Sequence, residues 1–73
     1  MIVDFFYKEE GFKMHSKELD VEYIPRVGEI VETVFKENLN IDTFRVKEVI
    51  HFLREGYKQG IEVQLTPNNN ENN

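Results

Sequence analysis

Apolar and polar residues alternate in several short stretches of this chain, and a period of two puts successive side chains on opposite faces of an extended strand. Ile2 to Tyr7 is short, aromatic and β-branched, with no helix cap and no Gly or Pro, which predicts a strand. Val3, Phe5 and Tyr7 share one of its faces; Ile2, Asp4 and Phe6 share the other. Lys8-Glu9-Glu10-Gly11 predicts a turn in which Gly11 takes positive φ without strain. Residues 12–17 have no clear period and either continue the hairpin or form a loose excursion. Glu18 to Tyr23 alternates cleanly, with Leu19, Val21 and Tyr23 set against Glu18, Asp20 and Glu22. This predicts a half-buried strand with an acidic outer face.

Pro25 ends that strand, because it supplies no N–H to a ladder, and it biases Ile24 towards an extended backbone. Gly28 redirects the chain: Pro25 holds its own φ near about −65° and Val27 is unsuited to positive φ, so the reversal falls on the glycine. Ile30 to Phe35 is rich in β-branched residues and lacks a preceding cap, which favours a third strand over the helical stripe Ile30, Val31, Val34 and Phe35. Glu37 to Asp42 carries the Asn and Asp chemistry of a loop. Phe44 to Leu53 supports two readings. Val46, Val49, Ile50 and Leu53 have helical spacing, with Asp42 placed to cap and Gly56 to terminate. As a strand the same stretch changes phase near Lys47-Glu48, as a β-bulge would make it do. We favour the strand and keep a helix over about 42–55 as the alternative. Arg54 to Gly60 reads as a hairpin loop, and Ile61 to Leu65 alternates as the last strand before Pro67.

These elements predict one mostly β domain over residues 1–67, a bent antiparallel meander of five strands, followed by a disordered Asn-rich tail over 68–73. The alternative is an α+β arrangement. The expected core is Val3, Phe5, Leu19, Val21, Tyr23, Val27, Val31, Phe35, Phe44, Val46, Val49, Ile61, Val63 and Leu65.

With 73 residues there is room for one modest core, and no Cys is present to staple it or to bind a metal. The lack of Cys fits a reducing compartment, so a cytoplasmic location is expected. The opening residues show no cationic stretch before an apolar run, and no apolar run approaches the length of a membrane span, so neither a secretory signal nor membrane insertion is expected. The net charge of −5 opposes phosphate backbones and suits basic protein partners or plain solubility.

Candidate chemistry is sparse. His15 and His51 stand alone, without the spacing of a zinc site, and His15 is expected to be exposed. Glu9-Glu10 and Asp20/Glu22 qualify as acid–base groups by residue type only, and Ser16, Thr33, Thr43 and Thr66 have no nucleophile elbow. Gly28, Gly56 and Gly60 form no phosphate loop. No enzyme, cofactor or metal is expected. Phe6, Phe12 and Phe52 exceed what so small a core can hold. With the acidic Glu18, Asp20 and Glu22 they form a candidate protein-binding set, for another protein or for a second copy pairing as a homodimer. Arg45, Lys47, Tyr57 and Lys58 form a weaker candidate set for single-stranded nucleic acid. Against it stands ordinary cross-strand pairing of the two strand cations with Glu29, Glu32 and Glu62.

The series Pro25-x-x-Gly28-Glu29-x-Val31, Phe44-x-Val46-x-x-Val49-x-His51 and Ile61-x-Val63-x-Leu65 resembles small SH3-like β-barrel proteins of bacteria, prophages and other mobile elements, many without known function. The resemblance covers Leu19 to Leu65. It implies a small barrel that serves as a binding platform for peptides, nucleic acids or other subunits, and it implies no activity. A phage or mobile-element role is what the resemblance implies. The small size, the acidic face of Glu18 to Glu22 and the surplus aromatics lead to the expectation of a small non-enzymatic protein-interaction module, and Arg45, Lys47, Tyr57 and Lys58 to the alternative of a weak single-strand nucleic-acid binder.

Overall fold

The computed structural model describes residues 1–9, 13–35, 42–53, 55–56 and 59–68. Among these residues there are five strands and no helix: β1 (Ile2–Lys8), β2 (Met14–Asp20), β3 (Ile30–Glu32), β4 (Thr43–Phe52) and β5 (Gly60–Pro67). They form one sheet in the order β2-β1-β5-β4-β3, curled into a half barrel consistent with a small SH3-like barrel. The expected β fold is therefore present, and the alternative helix over 42–55 is replaced by the ten residues of β4. Val46 and Val49 lie opposite Leu65 and Val63, so β-branched and aliphatic pairs outweigh the helical spacing.

One pairing departs from a simple antiparallel meander. β1 runs parallel to β5, while β1–β2, β4–β5 and β3–β4 are antiparallel. The physical reason is burial. β1 carries Val3, Phe5 and Tyr7, which leave at most 4 % of their surface exposed, and such a strand belongs inside a sheet. β2, with Lys17, Glu18 and Asp20, and the three-residue β3 take the two edges.

The inner face collects Val3, Phe5, Tyr7, Phe44, Val46, Val63 and Leu65, with Leu19, Val21, Ile24, Val31, Phe35, Val49 and Ile61 packed around them. Phe35, just beyond β3, closes the open side. Its ring lies 6.2 Å from Tyr7, 6.4 Å from His15 and edge-on to Phe44 at 5.4 Å. Lys17 on the opposite edge donates to the Val34 carbonyl at 2.8 Å.

Several expectations are corrected. β2 starts at Met14 and stops at Asp20, earlier than the alternation of Glu18 to Tyr23 suggests, because pairing with β1 sets its extent. Tyr23 is 77 % exposed and Val27 65 %, so neither belongs to the core, and Tyr7 and Ile24 join it instead. β3 ends at Glu32 rather than Phe35. His15 is buried rather than exposed. It stacks on Tyr7 with centroids 5.8 Å apart, and its Nε2 lies 2.7 Å from a Glu9 carboxylate oxygen. Loop residues 37–41 and tail residues 69–73 lie outside the described residues. Asn68, expected in the tail, is held by β4, its N–H donating to the Thr43 carbonyl at 3.0 Å.

The curl has a local cause at Val46. Val46 faces Leu65, the next paired residue is Glu48 opposite Gln64, and Lys47 is the extra residue of a bulge, as the change of phase predicts. On the other side of the same strand two residues oppose Val46. The Gly28 N–H donates to the Val46 carbonyl and the Val46 N–H to the Glu29 carbonyl, each at 2.9 Å. With φ of 93° at Gly28, this is a glycine-led bulge. The turn that feeds it is tied twice: the Glu29 N–H donates to the Arg26 carbonyl at 3.0 Å, and the Arg26 N–H to the Glu29 carboxylate at 2.7 Å. The residues Gly28-Glu29 thus bend the sheet where β4 crosses from one neighbour to the other.

Candidate interaction face

The outer face of the sheet holds most of the candidate residues, and register sorts them into rows. Glu18 of β2 lies opposite Asp4 of β1, Asp4 beside Glu62 of β5, and Glu62 opposite Ile50 of β4. Three carboxylates therefore stand in line across three strands. Burial, and after it the Asp4 carboxylate, push the Glu62 carboxyl above its ordinary value of 4.5. No salt bridge among the described residues joins these three to a cation. Such a shift has a definite sign. A carboxyl held up by folding stabilises the fold below the ordinary carboxylate range and loses that contribution as pH rises through its folded pKa. Glu62→Gln is therefore expected to raise stability at neutral pH by about 0.2–1 kcal/mol, the scale of cross-strand charge pairs. The gain should fade in urea melts run at progressively lower pH. An equal gain at every pH would mean that charge is not its source.

Beside this row, at the starts of β1 and β5, the sheet offers a groove. Gly60 starts β5 opposite Phe52, and among the described residues nothing lies within 4 Å of where its Cβ would be. Two shallow hollows of about 250 and 320 Å³ share Ile2, Gln59, Gly60 and Ile61. The first extends to His51 and Leu53, the second to Asp4 and Glu18. Ile2 is 57 % exposed and Leu53 70 %, so the walls are apolar side chains that folding leaves in water.

Towards the other end of β1 and β5 the sheet is basic. Phe6 is half-buried between Ser16 and Gln64, and it lines a hollow of about 260 Å³ with Lys8, Met14, Lys47, Gln64 and Thr66. Arg45 lies nearby, opposite Thr66, but its guanidinium is engaged: Nη1 donates to the Gly28 carbonyl at 2.7 Å and Nη2 to Asn68 Oδ1 at 3.3 Å. Neither Arg45 nor Lys47 forms a salt bridge with Glu29, Glu32 or Glu62 among the described residues.

The structure thus separates the two expected sets. Glu18 lies in the acidic row, and Asp20, at the end of β2, accepts from the Met1 amine at 2.8 Å. Glu22 stands in the bend after β2, off the strand. Phe52 is 41 % exposed beside the groove, whereas Phe6 lies at the basic end, so the two phenylalanines do not form one patch. Phe12, Tyr57 and Lys58 lie outside the described residues. Ile2, Asp4, Gly60 and Glu62 are absent from the expected set because only the parallel β1–β5 register brings them together. The visible signal for Asp4 was an isolated acid in an aromatic strand.

Among the described residues no group of three or more His, Asp or Glu is arranged to hold a metal ion, and no helix is long and apolar enough to cross a membrane. Comparison with known proteins finds no family model, no curated protein and no solved structure that matches this chain.

Proposed function

We propose that this protein is a small non-enzymatic interaction module of the cytoplasm that receives a protein partner on the outer face of its sheet. The observation that supports this reading is the groove at Gly60, where Ile2 and Leu53 remain exposed beside a row of carboxylates while the inner face is already filled. Affinity capture from the cell extract of the source tests it, with the wild-type chain, Lys47→Ala and Ile2→Asp/Leu53→Asp as parallel baits. A partner retained by wild type and by Lys47→Ala, and lost with the double variant, is the expected result. Identical capture by all three baits would refute the reading.

A second reading, a weak single-strand nucleic-acid binder, draws support from one observation. Phe6, an aromatic platform for a base, shares its hollow with Lys47. Fluorescence anisotropy on labelled RNA and DNA tests it. Salt-sensitive binding that Lys47→Ala weakens supports it, and its absence at low salt eliminates it.

A further inference from the structure

We infer that the groove at Gly60 receives an extended protein segment in which a lysine or arginine stands beside an aliphatic residue. This rests on the interaction-module reading and names the chemistry of the partner. The groove offers two different surfaces within one side chain's reach. Ile2 and Leu53 supply exposed apolar side chains, with Ile61 partly buried at the rim, and among the described residues the gap over Gly60 admits a side chain without displacing anything. Asp4 and Glu18 line the adjoining hollow, with Glu62 the next carboxylate in their row.

Charge decides between occupants. Three neighbouring carboxylates repel one another, and a cation set among them relieves that repulsion, whereas a phosphate backbone would add to it. A second copy docked groove to groove would bring the same acidic row against this one, which disfavours self-association here. A lysine or arginine lays its aliphatic stem along Ile2 and places its charged head at the carboxylates, so one residue satisfies both surfaces. An aliphatic neighbour then covers Leu53.

The test uses fluorescein-labelled peptides and anisotropy on the full chain. One probe alternates lysine with leucine, a second replaces each lysine by glutamate, and a third replaces each leucine by serine. The first is expected to bind in a salt-sensitive manner and the other two to bind at least about tenfold more weakly, a factor of ten being the loss of one good contact. Asp4→Asn/Glu62→Gln should weaken the first probe to a similar degree. Both changes relieve repulsion, so the variant should fold, and a urea melt verifies this. Equal binding of the glutamate probe, or unchanged binding by the folded double variant, overturns the inference. So does a dimer in light scattering that Ile2→Asp dissolves, since a second copy would then fill the groove. If no probe binds while the extract partner is still lost with Ile2→Asp/Leu53→Asp, this inference fails and the interaction-module reading stands. If that partner too is indifferent to the groove, both fail.

Discussion

Phe44→Ala is expected to remove a large share of the stability of this protein, about 3–5 kcal/mol. Phe44 is fully buried, and its ring meets Tyr7 at 5.2 Å and Phe35 edge-on at 5.4 Å. It therefore packs against both rings of the contact by which Phe35, after β3, meets Tyr7 of β1 across the open side of the half barrel. Truncation removes the transfer free energy of the ring and leaves a cavity that Tyr7 and Phe35, on two different parts of the chain, cannot fill together. A domain of this size has a total stability of roughly 4–11 kcal/mol, so the variant should be largely unfolded or melt at much lower urea. Phe44→Leu, which keeps most of the volume, should retain a cooperative transition at an intermediate midpoint. Equilibrium urea melts followed by tyrosine fluorescence compare the three chains. A Phe44→Ala midpoint equal to that of wild type would mean that the aromatic cluster does not hold the barrel closed.

The fold was legible where side-chain period and backbone chemistry agree. The alternation of β1 and β5, the bulge at Lys47 and the reversal at Gly28 can all be read locally, since each is set by neighbours within a few residues. β2 was displaced because two signals competed. Leu19 and Val21 do pack on the core, but the same inward phase runs backwards through Lys17 and His15, polar residues that conceal it. Tyr23 continues the alternation in sequence and leaves the sheet in space, because pairing with β1 stops at Asp20. His15 could not be read as buried, for its burial depends on the Tyr7 ring and the Glu9 carboxylate across the hairpin. The candidate site was legible only in part for the same reason. The acidic character of β2 is local, but the line Glu18, Asp4 and Glu62 is created by two pairings, one of them parallel and nearly sixty residues apart in sequence. Nothing in a single strand announces a parallel neighbour of that kind.

Gly28→Val is expected to cost about 1–3 kcal/mol, the scale of a backbone held in a sparsely populated region. The φ of 93° lies where only glycine is at ease, and it is required by two structures at once. It completes the turn from Arg26 to Glu29, and it allows two consecutive residues to face Val46. A β-branched residue must either accept the strain or move towards negative φ. The second course pulls the Gly28 N–H off the Val46 carbonyl and the Gly28 carbonyl away from Arg45. Space is not the obstacle, because among the described residues nothing lies within 4 Å of a Cβ at this position. Gly28→Ala should therefore carry most of the same penalty, and the difference between the two variants isolates β-branching from positive φ. Urea melts give the cost, and amide exchange at Val46, whose N–H donates to Glu29, shows whether the bulge has opened. Strain at Gly28 predicts a lower midpoint in both variants with faster exchange at Val46. A Gly28→Val chain that melts with wild type and protects Val46 equally well would show that the sheet bends without its glycine.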